Sequence, residues 1–216
     1  MNYIVQHLLE EIDSKPQALL PLNGNLVLLG DLESQFLKSV RKKAERFGIN
    51  CIGRIENPAG IVVDIETAKI DREFMEGFNR SPFNIDGPLL NGMTSVSQAA
   101  YMILDDQGLI RGKNVTIVGR GNAVTGLAEM LIKNDATVTV AHSKTKDVFG
   151  AIDGCDVAVY ATPSISIHEK PHVNDMVIDV GGVWSSDRYT ECQYIDRIGP
   201  LTVSVLLNRL ARVNVK

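Results

Sequence analysis

The sequence feature that most constrains the fold is a glycine-rich run, Gly119-Arg-Gly-Asn-Ala-Val-Thr-Gly126. It lies between an apolar segment that predicts a strand, residues 114–119, and a segment with apolar residues at helical spacing. Glycine permits a tight turn and lets backbone N–H groups approach a pyrophosphate at the N-terminus of a helix. Glycine-rich turns are common, but this one has a strand before it, a helix after it and a second strand at the expected distance. The run therefore predicts a dinucleotide-binding turn, with a purely structural turn as the alternative.

Predicted strands and helices alternate through the part of the chain that contains this turn. Apolar runs predict strands at residues 114–119, 137–142, 156–161 and 176–181. Apolar residues at helical spacing, from Val124 to Ile132, predict a helix between the first two strands. Because strict alternation requires crossover connections, we expect parallel strands in a doubly wound α/β sheet.

The first part of the chain predicts a second, smaller α/β layer. Helical spacing of apolar residues begins near Ile4 and again at Ser34, and the second of these helices ends near Gly48. Three apolar runs, at residues 26–30, 50–55 and 60–65, predict strands, with a turn at Pro58 between the last two. Residues 79–93 contain two prolines and two glycines and predict a connector. We therefore expect a first domain at residues 1–92 and a dinucleotide-binding domain at 93–201, followed by a helix from residue 202.

Composition and charge exclude several classes of protein. The chain has 216 residues, 44% of them hydrophobic, and a net charge of −4, so it lacks the basic surface that nucleic acid requires. No apolar run reaches the roughly 18 residues of a membrane span, and no secretory signal is visible. Three cysteines, Cys51, Cys155 and Cys192, fit neither a disulfide framework nor a zinc spacing. We expect a cytoplasmic protein with buried thiols, no metal site, and no membrane or nucleic-acid partner.

The end of the second predicted strand of the dinucleotide-binding domain favours NADP over NAD. NAD sites usually place an Asp or Glu there to bind the ribose 2′-hydroxyl. In this chain the strand ends Val140-Ala-His-Ser-Lys-Thr145, without a carboxylate. Ser143 and Lys144 offer a hydroxyl and a cation that suit a 2′-phosphate, and Arg120 in the glycine-rich turn adds a second cation. The alternative is that both cations are solvated surface charges.

Several segments, in order along the chain, together resemble the methylenetetrahydrofolate dehydrogenase/cyclohydrolase family. Gly119-Arg-Gly-Asn-Ala-Val124 resembles its cofactor turn, and His142-Ser-Lys-Thr-Lys-Asp147 its 2′-phosphate loop. Ile85-Asp-Gly87 resembles its folate-binding turn, and Ile198-Gly-Pro-Leu-Thr-Val203 the signature before its final helix. Further similarity lies at residues 29–31, 34–35, 41–44, 93–94, 155–163 and 177–182.

The resemblance implies two domains with a folate cleft between them, the helix 202–216 completing the first domain, and a homodimer. The implied reaction is oxidation of methylenetetrahydrofolate by NADP, followed by hydrolysis of the methenyl product to formyltetrahydrofolate. By the match, Asp86 binds the pterin, and Gly199 and Pro200 line the cleft with Thr202. The residues that the match assigns to the cofactor are Gly119, Arg120, Gly121, Asn122, Ala123, Val124, His142, Ser143, Lys144, Thr145, Ala161, Thr162, Pro163, Gly181, Gly182 and Thr202.

The chain departs from the family pattern at four positions. Arg41 stands at the position of the catalytic lysine, Leu37 at that of the substrate-binding tyrosine, and Asp64 at that of the glutamine which partners the lysine. Thr125 replaces an expected glycine, and the segment from Gly48 to Asp64 is shorter than in the family. The catalytic candidates are therefore Arg41, Asp64 and Asp86, with an Arg41–Asp64 salt bridge or two unrelated charges as alternatives.

These departures separate the two steps of the implied reaction. Arginine remains protonated at every ordinary pH and cannot transfer a proton as a lysine with a depressed pKa can. Hydride transfer depends mainly on positioning, whereas hydrolysis needs proton transfer at the attacking water. We expect dehydrogenase activity with weak or absent cyclohydrolase activity. The alternatives are a catalytically silent protein that binds folate or NADP and a different two-domain NADP dehydrogenase, similar to shikimate dehydrogenase.

Overall fold

The computed structural model describes residues 2–14, 24–64, 67–69, 72–87, 92–162, 170–182 and 191–213. The chain divides into two compact units, which we name by their place in the sequence. The central unit consists of Met1–Leu8 and Val96–Ile198, and the terminal unit of Leu9–Ser95 and Gly199–Lys216. The first eight residues thus cluster with the central unit, whereas the sequence analysis grouped them with the first domain.

The terminal unit is built on a small parallel sheet. Its strands are β1 (Asn25–Leu29), β2 (Cys51–Ile52) and β3 (Pro58–Val63), in the order β2-β1-β3. The first helix, α1 (Tyr3–Ser14), begins in the central unit and ends in this one. The other helices of the unit are α2 (Gln35–Arg46), α3 (Arg72–Phe78) and the last helix of the chain, α7 (Gly199–Val213).

The core of the terminal unit joins the sheet to α2 and α7. Helix α2 starts after Ser34, whose hydroxyl accepts a hydrogen bond from the N–H of Leu37, and it buries Leu37, Val40 and Ala44. Helix α7 passes so close to β3 that a Cβ atom on Gly60 would lie 2.6 Å from Cδ1 of Leu210. A side chain at position 60 would crowd Leu210, and α7 packs in the same core as the sheet and α2.

The central unit is a doubly wound sheet of five parallel strands. These are β4 (Asn114–Val118), β5 (Thr137–Ala141), β6 (Cys155–Tyr160), β7 (Val173–Asp179) and β8 (Gln193–Ile195), in the order β5-β4-β6-β7-β8. The helices are α4 (Ser95–Asp106), α5 (Leu127–Lys133) and α6 (Val148–Ile152). The strand order reverses at β4, so the carboxyl ends of β4 and β6 flank the crevice in which such sheets bind ligands.

The predicted α/β class with two domains and a parallel dinucleotide-type sheet is confirmed, but several elements differ in extent. The strand predicted at 50–55 is reduced to Cys51–Ile52, and Pro58 begins β3 because the turn is made at Asn57, with φ of 41°. Helix α7 begins at Gly199, three residues before the predicted start. Residues 65 and 214–216 of the predicted elements lie outside the described residues. Cys155 is buried as expected, whereas Cys51 and Cys192 are only half-buried.

Candidate functional site

The glycine-rich turn lies at the carboxyl end of β4, and Gly119 is its tightest point. Gly119 has φ of 118°, and a Cβ atom there would lie 3.2 Å from the carbonyl carbon and oxygen of Ala161. Residues Asn122–Val124 then form a single 3₁₀ turn before α5 begins. A side chain at position 119 would fill the crevice at the point where the strand order reverses. This arrangement fits a dinucleotide, which requires close approach of the backbone.

The loop after β5 is a compact turn closed by three hydrogen bonds. The N–H of His142 donates to Oγ1 of Thr145 (2.9 Å), and the N–H of Thr145 donates to the carbonyl of His142 (2.8 Å). The N–H of Lys144 donates to Nδ1 of His142 at 3.1 Å. His142 and Thr145 therefore shape the loop, while the side chains of Ser143 and Lys144 are exposed at its tip. Arg120 is likewise exposed in the neighbouring turn.

The carboxyl ends of β6 and β7 complete this edge of the sheet. Ala161 and Thr162 follow β6 and are half-buried, and Gly181 and Gly182 follow β7 and are exposed. Pro163, assigned to the cofactor by the resemblance, lies outside the described residues. Asp179 at the end of β7 is 1% exposed, and its Oδ2 accepts a hydrogen bond from the hydroxyl of Tyr194 at 2.9 Å.

Asp86 of the terminal unit is bound through one of its two carboxylate oxygens. The backbone N–H of Ser95 donates to Oδ1 at 2.8 Å, and the hydroxyl of Ser95 donates to the same atom. The Asp86 side chain keeps 28% of its surface exposed. Burial raises the pKa of Asp86 above its ordinary value, while the Ser95 hydrogen bonds and the positive charge of Arg209 act in the opposite direction.

Arg209 on α7 is a buried cation that holds the Asp86 turn. Its side chain is only 3% exposed, and Nη1 lies 4.0 Å from Oδ1 of Asp86. Nη2 donates to the carbonyl of Met93 at 2.9 Å, and Nη1 to the carbonyl of Ile85 at 3.5 Å. The guanidinium therefore fixes the chain on both sides of Asp86. Sequence reasoning missed Arg209, although its i, i+3 spacing from Leu206 puts it beside the apolar face of the helix.

The three residues at altered family positions differ in burial and partners. Leu37 is fully buried in the core of the terminal unit. Arg41 is half-exposed, and its charge lowers the pKa of Cys51, which burial raises to about 11. Asp64 is 7% exposed at the end of β3, where its N–H donates to the carbonyl of Leu29. Among the described residues no ion pair joins Arg41 to Asp64, so the predicted salt bridge is not formed.

The remaining candidates lie in the first turn of α7. Gly199 and Pro200 are exposed, whereas Thr202 is 3% exposed. The carbonyl of Pro200 accepts a hydrogen bond from the hydroxyl of Ser204 at 3.1 Å. That hydroxyl also accepts a bond from Lys43, which pairs with Asp13 at 2.7 Å. Lys43 thus ties α1, α2 and α7 together.

Comparison with known proteins assigns the chain to a family. Residues 94–193 match the family model described as tetrahydrofolate dehydrogenase/cyclohydrolase, NAD(P)-binding domain. The bifunctional protein FolD of Thermosipho melanesiensis is 32% identical over 180 residues, which cover 68% of this chain and 66% of that relative. The chain belongs to the tetrahydrofolate dehydrogenase/cyclohydrolase family. It spans just under two thirds of the length of this curated FolD relative.

Solved structures of FolD enzymes share the fold. The bifunctional FolD methylenetetrahydrofolate dehydrogenase/cyclohydrolase of Campylobacter jejuni matches with a TM-score of 0.78 at 21% identity, covering 98% of this chain and 95% of its own. The FolD enzyme of Trypanosoma brucei, solved with NADP and an inhibitor, matches with a TM-score of 0.68 at 20% identity, covering 97% and 93%. At these identities the likeness establishes the architecture.

The described residues of this FolD-family chain contain neither a membrane-spanning helix nor a group of metal-binding side chains. Within the described ranges, no helix has the length and apolar character needed to cross a bilayer. Over the same residues, His, Cys, Asp and Glu side chains form no group of three or more that could hold a metal ion.

Proposed function

We propose that the protein oxidises methylenetetrahydrofolate to methenyltetrahydrofolate with NADP as the hydride acceptor. The observation that carries the proposal is the turn at Gly119, which leaves no room for a side chain and falls inside the matched NAD(P)-binding model. The structure of the FolD enzyme from Trypanosoma brucei was solved with NADP, and this supports NADP as the cofactor of the present protein.

The central unit supplies the residues proposed to hold the dinucleotide. Gly119, Gly121 and Asn122 offer backbone to the pyrophosphate, and the exposed side chains of Ser143 and Lys144 suit a 2′-phosphate. The compact turn made by His142 and Thr145 presents these two side chains without a neighbouring carboxylate that would select the ribose 2′-hydroxyl of NAD. The other residues of this unit proposed to contact the cofactor are Arg120, Ala123, Val124, Ala161, Thr162, Pro163, Gly181 and Gly182. Thr202, which the resemblance also assigned to the cofactor, belongs to the terminal unit and stays a prediction.

The terminal unit supplies the residue proposed to recognise the pterin. Because Ser95 occupies Oδ1 of Asp86, the second oxygen can accept hydrogen bonds from the N–H groups of a pterin. Arg209 and Ser95 keep the carboxylate in one orientation, which is what positioning of a hydride donor requires. The exposed Gly199 and Pro200 at the start of α7 are proposed to line the folate site.

We propose that the second family step, hydrolysis of the methenyl compound, is weak or absent. Arg41 carries a permanent charge and transfers no proton, and the tyrosine position is held by Leu37, which has no exposed surface. The experiment is a paired assay of the purified protein. NADPH formation from methylenetetrahydrofolate is followed by near-ultraviolet absorbance, and loss of added methenyltetrahydrofolate is followed separately against buffer. Rapid enzymatic loss of the methenyl compound would contradict this part.

A second candidate is a catalytically silent protein that binds folate or NADP. It is favoured by the altered Arg41, Leu37 and Asp64 set, since no ion pair joins Arg41 to Asp64 in the described part of the chain. Binding of both ligands without NADPH formation would select it. Membership of the family argues against the third alternative, a shikimate-dehydrogenase-like enzyme, and shikimate serves as the negative substrate in the same assay. The homodimer stays a prediction, which light scattering after size exclusion would test.

A further inference from the structure

Ser97 on α4 is linked to the glycine-rich turn by its side chain. The residue is fully buried, and its Oγ lies 3.1 Å from the carbonyl oxygen of Ala123 and 2.9 Å from that of Thr125. A serine hydroxyl has one proton to donate, so the two carbonyls share it. One side chain on a neighbouring helix therefore holds two carbonyls of the turn.

The turn has few other bonds of its own. The N–H of Val124 donates to the carbonyl of Gly121 at 3.1 Å, and the N–H of Thr125 to the carbonyl of Asn122 at 3.2 Å. Gly126, which follows, adopts φ of 83° and gives α5 no side-chain cap. The contacts of Ser97 therefore fall on the segment between Gly121 and the start of α5.

The planar geometry of the peptide bond means that the contacts of Ser97 also orient two N–H groups of the turn. In a planar trans peptide the N–H points opposite to the C=O of the preceding residue. A carbonyl of Ala123 that points to Ser97 turns the N–H of Val124 away, where it meets the carbonyl of Gly121. A carbonyl of Thr125 that points to Ser97 turns the N–H of Gly126 away in the same manner. Over the described residues, that N–H donates to no carbonyl or side chain.

We infer that Ser97 is a positioning residue for the dinucleotide, acting by aiming the Gly126 N–H of the glycine-rich turn at a cofactor phosphate. The inference rests on the proposed cofactor function. Ser97 is buried beneath the turn and acts through the turn's backbone. Its loss should weaken cofactor binding while the folate side of the reaction stays the same.

The test compares Ser97→Ala with Thr116→Val in the full-length protein. Thr116 is a matched control, because it is 2% exposed in the same unit and its hydroxyl also donates to a backbone carbonyl, that of Ala151, at 2.8 Å. NADP affinity is measured by calorimetric titration, which does not depend on turnover. Ser97→Ala should raise the Kd for NADP about fivefold to tenfold, the equivalent of ~1 to 1.4 kcal/mol for one hydrogen bond. Thr116→Val should leave it within about twofold.

Two further measurements separate positioning from loss of fold. Amide hydrogen exchange at Val124 and Gly126 should accelerate in Ser97→Ala relative to Thr116→Val, and NADP should protect the Gly126 amide less in the serine variant. In steady-state assays of Ser97→Ala, the KM for NADP should rise, while kcat and the KM for methylenetetrahydrofolate should stay unchanged. Equal Kd values for the wild type and Ser97→Ala would overturn this inference alone. Failure of the wild type to bind either NADP or NAD would overturn the proposed function with it.

Discussion

Arg209 and Asp86 lie in the two separate segments of the terminal unit, yet Nη1 of the arginine is 4.0 Å from Oδ1 of the aspartate. The arginine is almost completely buried and also binds the carbonyls of Met93 and Ile85. A cation from the last helix thus stabilises a turn that precedes the central unit in the chain. Loss of Asp86 would leave the charge of Arg209 buried without its partner, and loss of Arg209 would leave the turn without its cation.

Arg209→Met should therefore be strongly destabilising. The variant keeps most of the apolar volume but removes the cation beside Asp86 and the donor to the carbonyls of Met93 and Ile85, which costs about 3 kcal/mol. Urea denaturation measures the change in the free energy of unfolding. Lys38→Met is the matched control, since it breaks the exposed Lys38–Glu33 pair at 2.9 Å in the same unit and should cost less than about 1 kcal/mol. Equal losses in the two variants would contradict a structural role for the buried pair.

The ionisation of Asp86 should make the free energy of unfolding depend on pH. Its folded-state pKa is raised by burial, so the folded protein binds this proton more tightly than the unfolded chain does. As pH rises from the unfolded-state pKa through the folded-state pKa, Asp86 therefore lowers the free energy of unfolding. Relative to Asp86→Asn, the wild type should lose stability over this window, as measured by denaturation at a series of pH values.

The same ionisation should control folate binding in the opposite direction. The protonated carboxyl group loses acceptor capacity toward pterin N–H groups, so the KM for methylenetetrahydrofolate should rise as pH falls through the raised pKa. The KM for NADP serves as the internal control and should stay level over the same range. A parallel change in both constants would indicate unfolding.

Two glycines of the cofactor turn should respond differently to alanine. Gly119 has φ of 118° and meets the backbone of Ala161, so Gly119→Ala should cost about 2 kcal/mol of stability and abolish NADP binding. Gly121 has φ of −77° and no atom within 4 Å of an added Cβ, so Gly121→Ala should leave stability unchanged within about 1 kcal/mol. Thermal and urea denaturation measure the change in the free energy of unfolding for each variant. Similar losses at both positions would contradict the crowding described for Gly119.

Lys144 should determine the preference for NADP over NAD. Lys144→Gln removes an exposed cation at the tip of the loop after β5 and should raise the Kd for NADP about tenfold, while the Kd for NAD stays constant. Lys146→Gln removes a second exposed lysine of the same loop and provides the control. The idea fails if both variants change the affinity for NADP equally.

The sequence was most informative where local patterns determine structure. The first four strands of the dinucleotide-binding sheet, β4 to β7, were predicted within about three residues, because each is a short apolar run next to turn residues. Helix α6 and strand β8 were missed because five and three residues are too few to show a period. Helix α6 is instead marked by its cap, since Asp147 accepts a hydrogen bond from the N–H of Gly150 at 2.7 Å.

The same distinction between local and distant contacts applies to the candidate sites. The glycine-rich turn and the loop at His142 were located from the sequence because their function depends on adjacent residues. Arg209 and Ser97 were missed, because the groups they contact lie far away in the chain. His142 shapes its own loop, since its Nδ1 accepts a hydrogen bond from the N–H of Lys144, and its contact with the cofactor stays a prediction.

The terminal unit is made of two segments that are separated in the chain by residues 96–198, and this separation determines the order in which its core can form during synthesis. Leu26, Leu28 and Val62 of its sheet share a core with Leu206 and Leu210 of α7, which the ribosome makes only after the entire central unit. The part of this core that α7 covers therefore stays exposed on the nascent chain while residues 96–198 are made. Apolar surface of this kind is prone to aggregation until α7 is made and packs on it.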